Sequence, residues 1–537
     1  MSGGALKGRF ACFSAASPFL LLLVLLAIMG VSLAGCSALA PGTQHASAGH
    51  SGSREFILGG LAGVSSLNPL YPANPEGEAL GRLVFGSLFT LGPRGELVPD
   101  LATGYSVSPG GLAITVTLRR GVHWQNGSVF GPQDVVATFR AVANPANHSP
   151  FWGVTRDLAS VSVLGGRRVV FQLAGSDVFF PQDALAQIPI VSSTVLGGSG
   201  RDSSAPNLQE ATFGLNSLGA GPYLFRRRRG NAWFFEANPG YFAGKPAIPK
   251  LEYRTYPDAK DLAAAVADGE VSFAAGSLPA VHGATKKVTF VQPAVVAMLF
   301  NDRQALLRDP RVRRAISLAI DRRQLVQGVL GGRGVPGVTV FPPLPGGGTP
   351  GGQANFHPGR AKALLAAAGW VSTGGVWTKG GRMLTLDLLV PTGDPALEET
   401  GAALAGQLEN MGVNVQLEQM KWGDLLRRAV AGKFAGVLMS LQLTPGLDPE
   451  GLLASWAVPP NGNNLGYYRN NEADAQLAAV KAGTSGARTR LQRILLQDPP
   501  GAFLYYPEET VATVQGLTGY VPDPYVLYNG VASWRLR

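Results

Sequence analysis

Cysteine is almost missing from this chain. Its 537 residues hold two, Cys12 and Cys36, too few for a disulfide framework or a cysteine-type zinc site. Histidine is scarce as well, at six, and none falls in an H-E-x-x-H pattern, which excludes that zinc-hydrolase arrangement. No G-x-x-x-x-G-K-[ST] loop is present, so nucleotide hydrolysis through that phosphate cradle is ruled out. There is no G-x-S-x-G elbow either; the GGSG at Gly197–Gly200 runs into Arg201 and reads as a loop. The paired carboxylates of a glycosidase leave no sequence signature and are not excluded. These absences favour a binding module over an enzyme, with no cofactor and no metal expected.

Long apolar runs are also lacking. The longest, FLLLLVLLAIM at Phe19–Met29, falls short of the roughly 17–25 residues of a membrane-spanning helix. Counting on through Gly35 makes a marginal span, which is the alternative reading. Lys7 and Arg9 precede the run with no acidic residue, and small residues follow it, the pattern of a secretory signal peptide over 1–35. Leu33-Ala34-Gly35-Cys36 resembles the bacterial lipobox. That resemblance implies that Cys36 accepts a diacylglycerol, whose two acyl chains suffice for stable anchoring in a membrane. Residues 36–53, rich in Ser, Gly and Ala, then form a flexible tether with a reach of about 25 Å. His45 and His50 on it read as linker residues rather than a metal site.

What remains exceeds a single hydrophobic core. Apolar residues make up 46%, charged residues only 15% against a usual ~25%. Glycine, at 71 residues, implies many turns. The formal charge is +10, of which Lys7 and Arg9 supply two; such a chain is drawn to an anionic membrane or wall polymer. Arg226–Arg229 is the sharpest basic cluster. It reads as a strand end entering a turn, and export argues against a nucleic-acid partner.

Along the chain, EALGRLVFGSLF has helical apolar spacing, and GLAITVTLRRGVHW alternates as a half-buried strand does. Pro132 opens a predicted helix with Asp134 in its first turn. ASVSVLGGRRVVFQLAG reads as a hairpin, and DAKDLAAAVADGEVSFA as a helix followed by a strand. DPRVRRAISLAIDRRQLVQGVL is predicted to be one helix, with Val312, Ile316, Ala319, Ile320 and Leu325 on one face. A second helix, GRAKALLAAAGW, stops at Gly369. MLTLDLLVP, EETGAALAGQLENMG and VNVQLEQM give a strand–helix–strand order that predicts a parallel α/β unit.

Four stretches in order carry a family resemblance. LVPDLATGYSVSPGGLAITVTLRRGVHWQNGSVFGPQDVVATF is the first, and LGAGPYLF with NPGYFAGKP the second. LFNDRQALLRDPRVRRAISLAIDRRQLV and HPGRAKALLAAAGW complete the set. Together they resemble the family 5 extracellular solute-binding proteins, the peptide- and nickel-binding lipoproteins of ABC importers, from about Phe56 to the C-terminus. The motif residues themselves read as structural. Trp124 and Leu118 are expected to pack a small subdomain, Asn126-Gly127 to turn, Arg313 and Asp321 to bracket a helix in an ion pair or cap, and Gly221-Pro222-Tyr223 to enter a strand.

The resemblance implies an α/β, two-lobed periplasmic-binding-protein-like fold (type II, large cluster with an extra subdomain) with a discontinuous first lobe. Lobe I would comprise 54–80, 216–298 and 508–537, its subdomain 81–215, and lobe II 299–507. The chain would act as a monomer, closing over a solute and docking on ABC importer permease subunits at the extracytoplasmic face of the membrane. Trp422 matches a ligand-stacking position of peptide-binding relatives. Their Asp for the peptide α-amino group, a few residues before an acidic-Pro pair, is replaced: ahead of Asp448-Pro449 stand Thr444 and Pro445. That removes a charge-assisted contact of about 1.5–3 kcal/mol. Gln442, Asn301 and Tyr71 complete the candidate ligand contacts. Peptide is the leading ligand; nickel fits poorly, with no His in this region. The alternatives are a non-peptide small solute, a sensor or chaperone role without transport, and, remotely, a surface hydrolase.

Overall fold

The computed structural model describes residues 55–72, 74–197, 218–276, 278–279, 281, 285–344, 356–459 and 462–537. The expected signal peptide, the acceptor Cys36 and the tether lie outside the described residues.

The frame is a twelve-stranded mixed sheet. One end runs through Asn414–Lys421, Thr385–Thr392, Gly436–Gln442 and Ala294–Phe300; the other through Phe273–Gly276, Phe56–Gly60, Lys250–Thr255, Ala232–Ala237 and Tyr223–Arg229. The long strand Gly501–Val514 joins the two ends. In the first end, Ala294–Phe300 is apolar at every position because both of its faces are covered. Val296, Met298 and Phe300 enter one core and Val295, Ala297 and Leu299 another, as a period of two dictates. Helices Pro310–Leu318, Pro358–Ala367 and Pro395–Asn410 supply the first of these cores; Trp422–Val430, Asn471–Lys481 and Ala487–Gln497 supply the second. Strand Thr385–Thr392 runs parallel to Asn414–Lys421 around helix Pro395–Asn410, the α/β unit the sequence predicts.

A separate four-stranded antiparallel sheet, ordered Ala102–Val107, Ala113–Leu118, Arg168–Leu173 and Leu158–Gly165, lies within the stretch expected to form the small subdomain. The last two strands are the predicted hairpin. Trp124 and Leu118 sit in its core. Asp134, in the first turn of helix Pro132–Ala143, is buried. It accepts from Trp124 Nε1 at 3.2 Å, Gly131 N at 2.9 Å, and Ser193 N and Oγ at 2.7 and 2.8 Å. The Arg226–Arg229 run ends strand Tyr223–Arg229, with Arg227 and Arg228 lying over Phe234 and Trp233.

One helix differs from expectation. The stretch from Pro310 is two helices, Pro310–Leu318 and Arg322–Val329. Asp321 caps the second, accepting from Arg323 N and Gln324 N, each at 3.0 Å. The buried Arg322 guanidinium is drawn away to Gly337 O, Phe503 O and Ser317 O, which fixes the break. Arg313 does not pair with Asp321; it is buried between Asp302 and Asp498.

Truncating Asp134 strands several buried donors at once. D134A is expected to lower stability by about 2–4 kcal/mol in urea unfolding; a loss below about 0.5 kcal/mol would contradict this account of the subdomain.

Candidate functional site

The two ends of the sheet meet where two strands cross between them. Thr285–Val291 pairs with Glu508–Val514, and Ala294–Phe300 pairs with Gly501–Tyr505 of the same long strand. Gln292-Pro293 and Pro507 occupy the change-over. Proline has no N–H to give a ladder, and the pairing between these two strands is interrupted there, while Tyr505–Pro507 pair instead with Gly334–Pro336. One backbone bond, Gln292 N to Pro507 O at 2.9 Å, ties the crossing segments. The expected lobe boundary at 298/299 falls inside strand Ala294–Phe300, which pairs along its whole length with Gly436–Gln442.

Beside this crossing lies a cavity of about 460 Å³. Gln292 and Glu509 line it from the crossing, Glu76 and Arg82 from helix Pro75–Val84, and Gln442 and Pro445 from the other half. Tyr525 and Tyr528 of the C-terminal segment close a further side. Arg82 is fully engaged: it bonds Glu78 at 3.0 Å, Gln187 Oε1 at 2.6 Å and the Ala186 and Gln187 carbonyls. The Nε2 of Gln187 and the hydroxyl of Tyr525, both buried, have no hydrogen-bond partner. A buried donor without a partner costs about 1–3 kcal/mol. Glu509 accepts from Gln292 Nε2 at 3.1 Å. Burial pushes its carboxyl up to about 7; the Gln292 bond opposes that shift and the charge of Glu76 adds to it.

The expected ligand residues divide. Gln442 lines the cavity, and Thr444 stands between its lining residues Leu443 and Pro445. Trp422 opens helix Trp422–Val430 and is 48% exposed, outside the cavity lining. Asn301 is fully buried, its amide donating to Gly432 O and Phe434 O and its carbonyl accepting from Arg303 N. Tyr71 packs on the subdomain core with its hydroxyl on Asn147 O. Glu76, Gln187, Glu509 and Tyr525 had no role in the sequence reading. The one local signal was Pro507-Glu508-Glu509, a proline and two carboxylates inside an otherwise apolar strand.

A second set of contacts fastens the subdomain to the loop beyond Gln442. Buried Asp183 accepts from Gly446 N at 2.6 Å and from the Thr444 hydroxyl. Burial holds its carboxyl well above the usual carboxylate range, and the Gly446 bond opposes that rise. The loop is tightly wound: Leu447 N bonds Thr444 O at 2.8 Å, and Leu447 has a left-handed φ of 57°. Nearby, Lys481 Nζ lies 2.5 Å from Asp157, 3.6 Å from Asp177 and 2.9 Å from Glu450. Arg156 bonds Glu450 at 3.1 Å and stacks 3.4 Å over Trp456. Residues 156–183 and 444–481 are thereby clasped together.

Two halves of one sheet, crossed by two strands and enclosing a cavity, define a two-lobed solute-binding protein. A family model described as "Bacterial extracellular solute-binding proteins, family 5 Middle" matches residues 96–464, and the chain belongs to that family. It is 26% identical to "Oligopeptide-binding protein AppA" of Bacillus subtilis (strain 168), over 96% of this chain and 98% of that one. "Probable di/tripeptide-binding protein 5" of Pseudomonas aeruginosa (strain UCBPP-PA14) is 28% identical, covering 86% and 91%. Among solved structures, Bacillus subtilis AppA in complex with a nonapeptide matches with a TM-score of 0.74 at 24% identity, over 90% of this chain and 99% of that one. NikZ of Campylobacter jejuni in complex with Ni(L-His) matches at 0.77 and 22% identity, over the same shares. Among the described residues no group of three or more His, Cys, Asp or Glu is placed to hold a metal ion, and no helix is long and apolar enough to cross a membrane.

Two predictions follow from the geometry. Removing the Lys481 charge leaves Asp157, Asp177 and Glu450 facing one another with only Arg156 to offset them. K481A is expected to destabilise by about 2–4 kcal/mol, with the first loss of hydrogen-exchange protection in residues 156–183 and 444–456; unchanged protection there would refute the clasp. Glu509 has a folded-state pKa raised from 4.5 to about 7. Its neutral form is therefore favoured in the fold, and this contribution is full below pH 4.5 and lost as pH rises through about 7. E509Q should match the unsubstituted protein in Tm at pH 4.5 and exceed it at pH 8, by roughly 1–3 kcal/mol of stability. Equal Tm values at pH 8 would count against the burial of this carboxyl.

Proposed function

We propose that this protein captures a peptide between its lobes, at the extracytoplasmic face of a membrane to which Cys36 anchors it, and delivers it to the permease of an ABC importer. The observation that carries the reading is the cavity beside the strand crossing, to which both halves of the sheet contribute lining residues. Its polar side chains, Gln292 and Gln442 among them, suit the amide backbone of a peptide. The relatives named as oligopeptide- and di/tripeptide-binding proteins support the same ligand class. We place the lobe crossings at Gln292-Pro293 and Pro507, with 81–215 as the subdomain of the first lobe. Rotation about two short crossings changes the width of the cavity without disturbing either core, and a solute selects the closed form by its greater affinity for it.

A second reading, a non-peptide solute, is favoured by one observation. The loop that would carry an Asp for the peptide amino group is instead fastened through Thr444 and Gly446 to Asp183. Native mass spectrometry of the purified full-length chain, followed by denaturation and identification of what is released, separates the two. A mixture of short peptides is the expected result. One recurrent non-peptide compound would replace the peptide reading with the second.

A further inference from the structure

The clasp between residues 156–183 and 444–481 is made of groups suited to a contact that parts. It starts at two neighbouring phenylalanines. Phe180 is buried in the core of the small antiparallel sheet, whereas Phe179 packs on the core that holds Val295, Ala297 and Leu299. Asp177 fixes the pair, accepting from Phe179 N at 2.9 Å and Phe180 N at 3.1 Å. Just before them, Val178 N donates to Lys481 O at 3.0 Å. Lys481 in turn offers one ammonium to three carboxylates, those of Asp157, Asp177 and Glu450. The bonds across the clasp join residues 263 to 324 positions apart in the chain. Charge pairs of this kind barely offset their own desolvation, and polar interfaces between parts of one chain are the kind that open.

Resting on the two-lobe reading with crossings at Gln292-Pro293 and Pro507, we propose that the clasp is a latch. It holds the lobes closed with no solute present, and Lys481 sets how long a solute is retained from a position outside the cavity lining. Residues 156–183 move with the first lobe and 444–481 with the second. Pro445 lines the cavity, and Gly446, next in the chain, is the residue that Asp183 holds, so the latch closes at the cavity rim.

A solute shifts an open–closed equilibrium only by its differential affinity for the two forms. The latch adds a contribution to closure that is the same for every solute. Its effect is on release: a solute leaves only after the clasp opens, whereas it enters through the open form. Retention by lobe-to-lobe contact also suits a cavity whose neighbouring loop lacks the Asp expected to anchor a peptide amino group.

Positions 178 and 483 straddle the clasp at its exposed rim. A Cβ on Gly483 would stand 3.9 Å from that of Val178, within the roughly 3.5–4.5 Å that a disulfide spans. The test oxidises dialysed full-length V178C/G483C protein and follows the 178–483 disulfide by peptide mapping. Adding K481A is expected to slow its formation at least about tenfold, and K481R to restore it. Hydrogen-exchange protection of strands Ala113–Leu118 and Ala294–Phe300 should stay unchanged in both. Crosslinking that ignores K481A would overturn the latch. So would loss of protection in those two strands, which would make the clasp a prop of the fold.

An equimolar mixture of Ala-X-Ala tripeptides then probes retention by native mass spectrometry after dilution. Oxidised V178C/G483C should release bound peptide at least about tenfold more slowly than the reduced form. K481A alone should release it about tenfold faster, with association unchanged. Equal release by oxidised and reduced protein would overturn control of the cavity by the clasp. No peptide binding by the reduced, folded protein would overturn the peptide reading instead, and the crosslinking rates would still decide the latch.

Discussion

One strand holds the molecule together as a machine with two parts. Gly501–Val514 belongs to both ends of the sheet, pairing with Ala294–Phe300 over its first half and with Thr285–Val291 and Phe273–Gly276 over its second. Continuity along that strand makes the halves neighbours; interruption at Pro507 and Pro293 makes them separable. A single uninterrupted ladder would fuse the sheet into one rigid plate, and a flexible linker would leave the halves unaligned. Two short proline-marked crossings, tied by the Gln292–Pro507 bond, are the hinge that the proposed closure would use. The cavity sits beside that hinge, and Glu509, two residues past Pro507, reports directly on it.

The clasp works with the crossing rather than duplicating it. Backbone continuity provides alignment at no cost in charge burial, whereas the clasp brings Asp157, Asp177, Asp183 and Glu450 close to one another around Lys481 and Arg156. Buried ion pairs of this kind barely offset their desolvation and derive much of their worth from geometry. Their contribution here is positional: they hold the 444–448 loop against residues 156–183, and with it the placing of Pro445 in the cavity lining.

Much of the frame was legible in the sequence because it is local. The alternation in GLAITVTL, the β-hairpin through Gly165-Gly166 and the strand–helix–strand order after Met383 each follow from residues close in the chain. The break at Asp321 was not legible, since it depends on Arg322 reaching Phe503, 181 residues away. Gln442 was named and lines the cavity; Thr444, also named, stands between lining residues with its hydroxyl on Asp183, and Trp422, named from a motif position, stands exposed. Asn301 was named among the ligand contacts; it is buried, with its amide on Gly432 O and Phe434 O. The cavity acids escaped notice because their meaning is collective: Glu76 and Glu509 are unremarkable singly, and only the fold sets them around one space.

Leu447 shows what holding this loop requires. An L-residue at φ of 57° sits above its relaxed conformation by roughly 1–2 kcal/mol, yet Leu447 is almost fully buried in the core of its own half. Its side chain is the keel of the loop: burial of the leucine offsets the strain of the backbone, and the turn thus kept presents Gly446 N to Asp183.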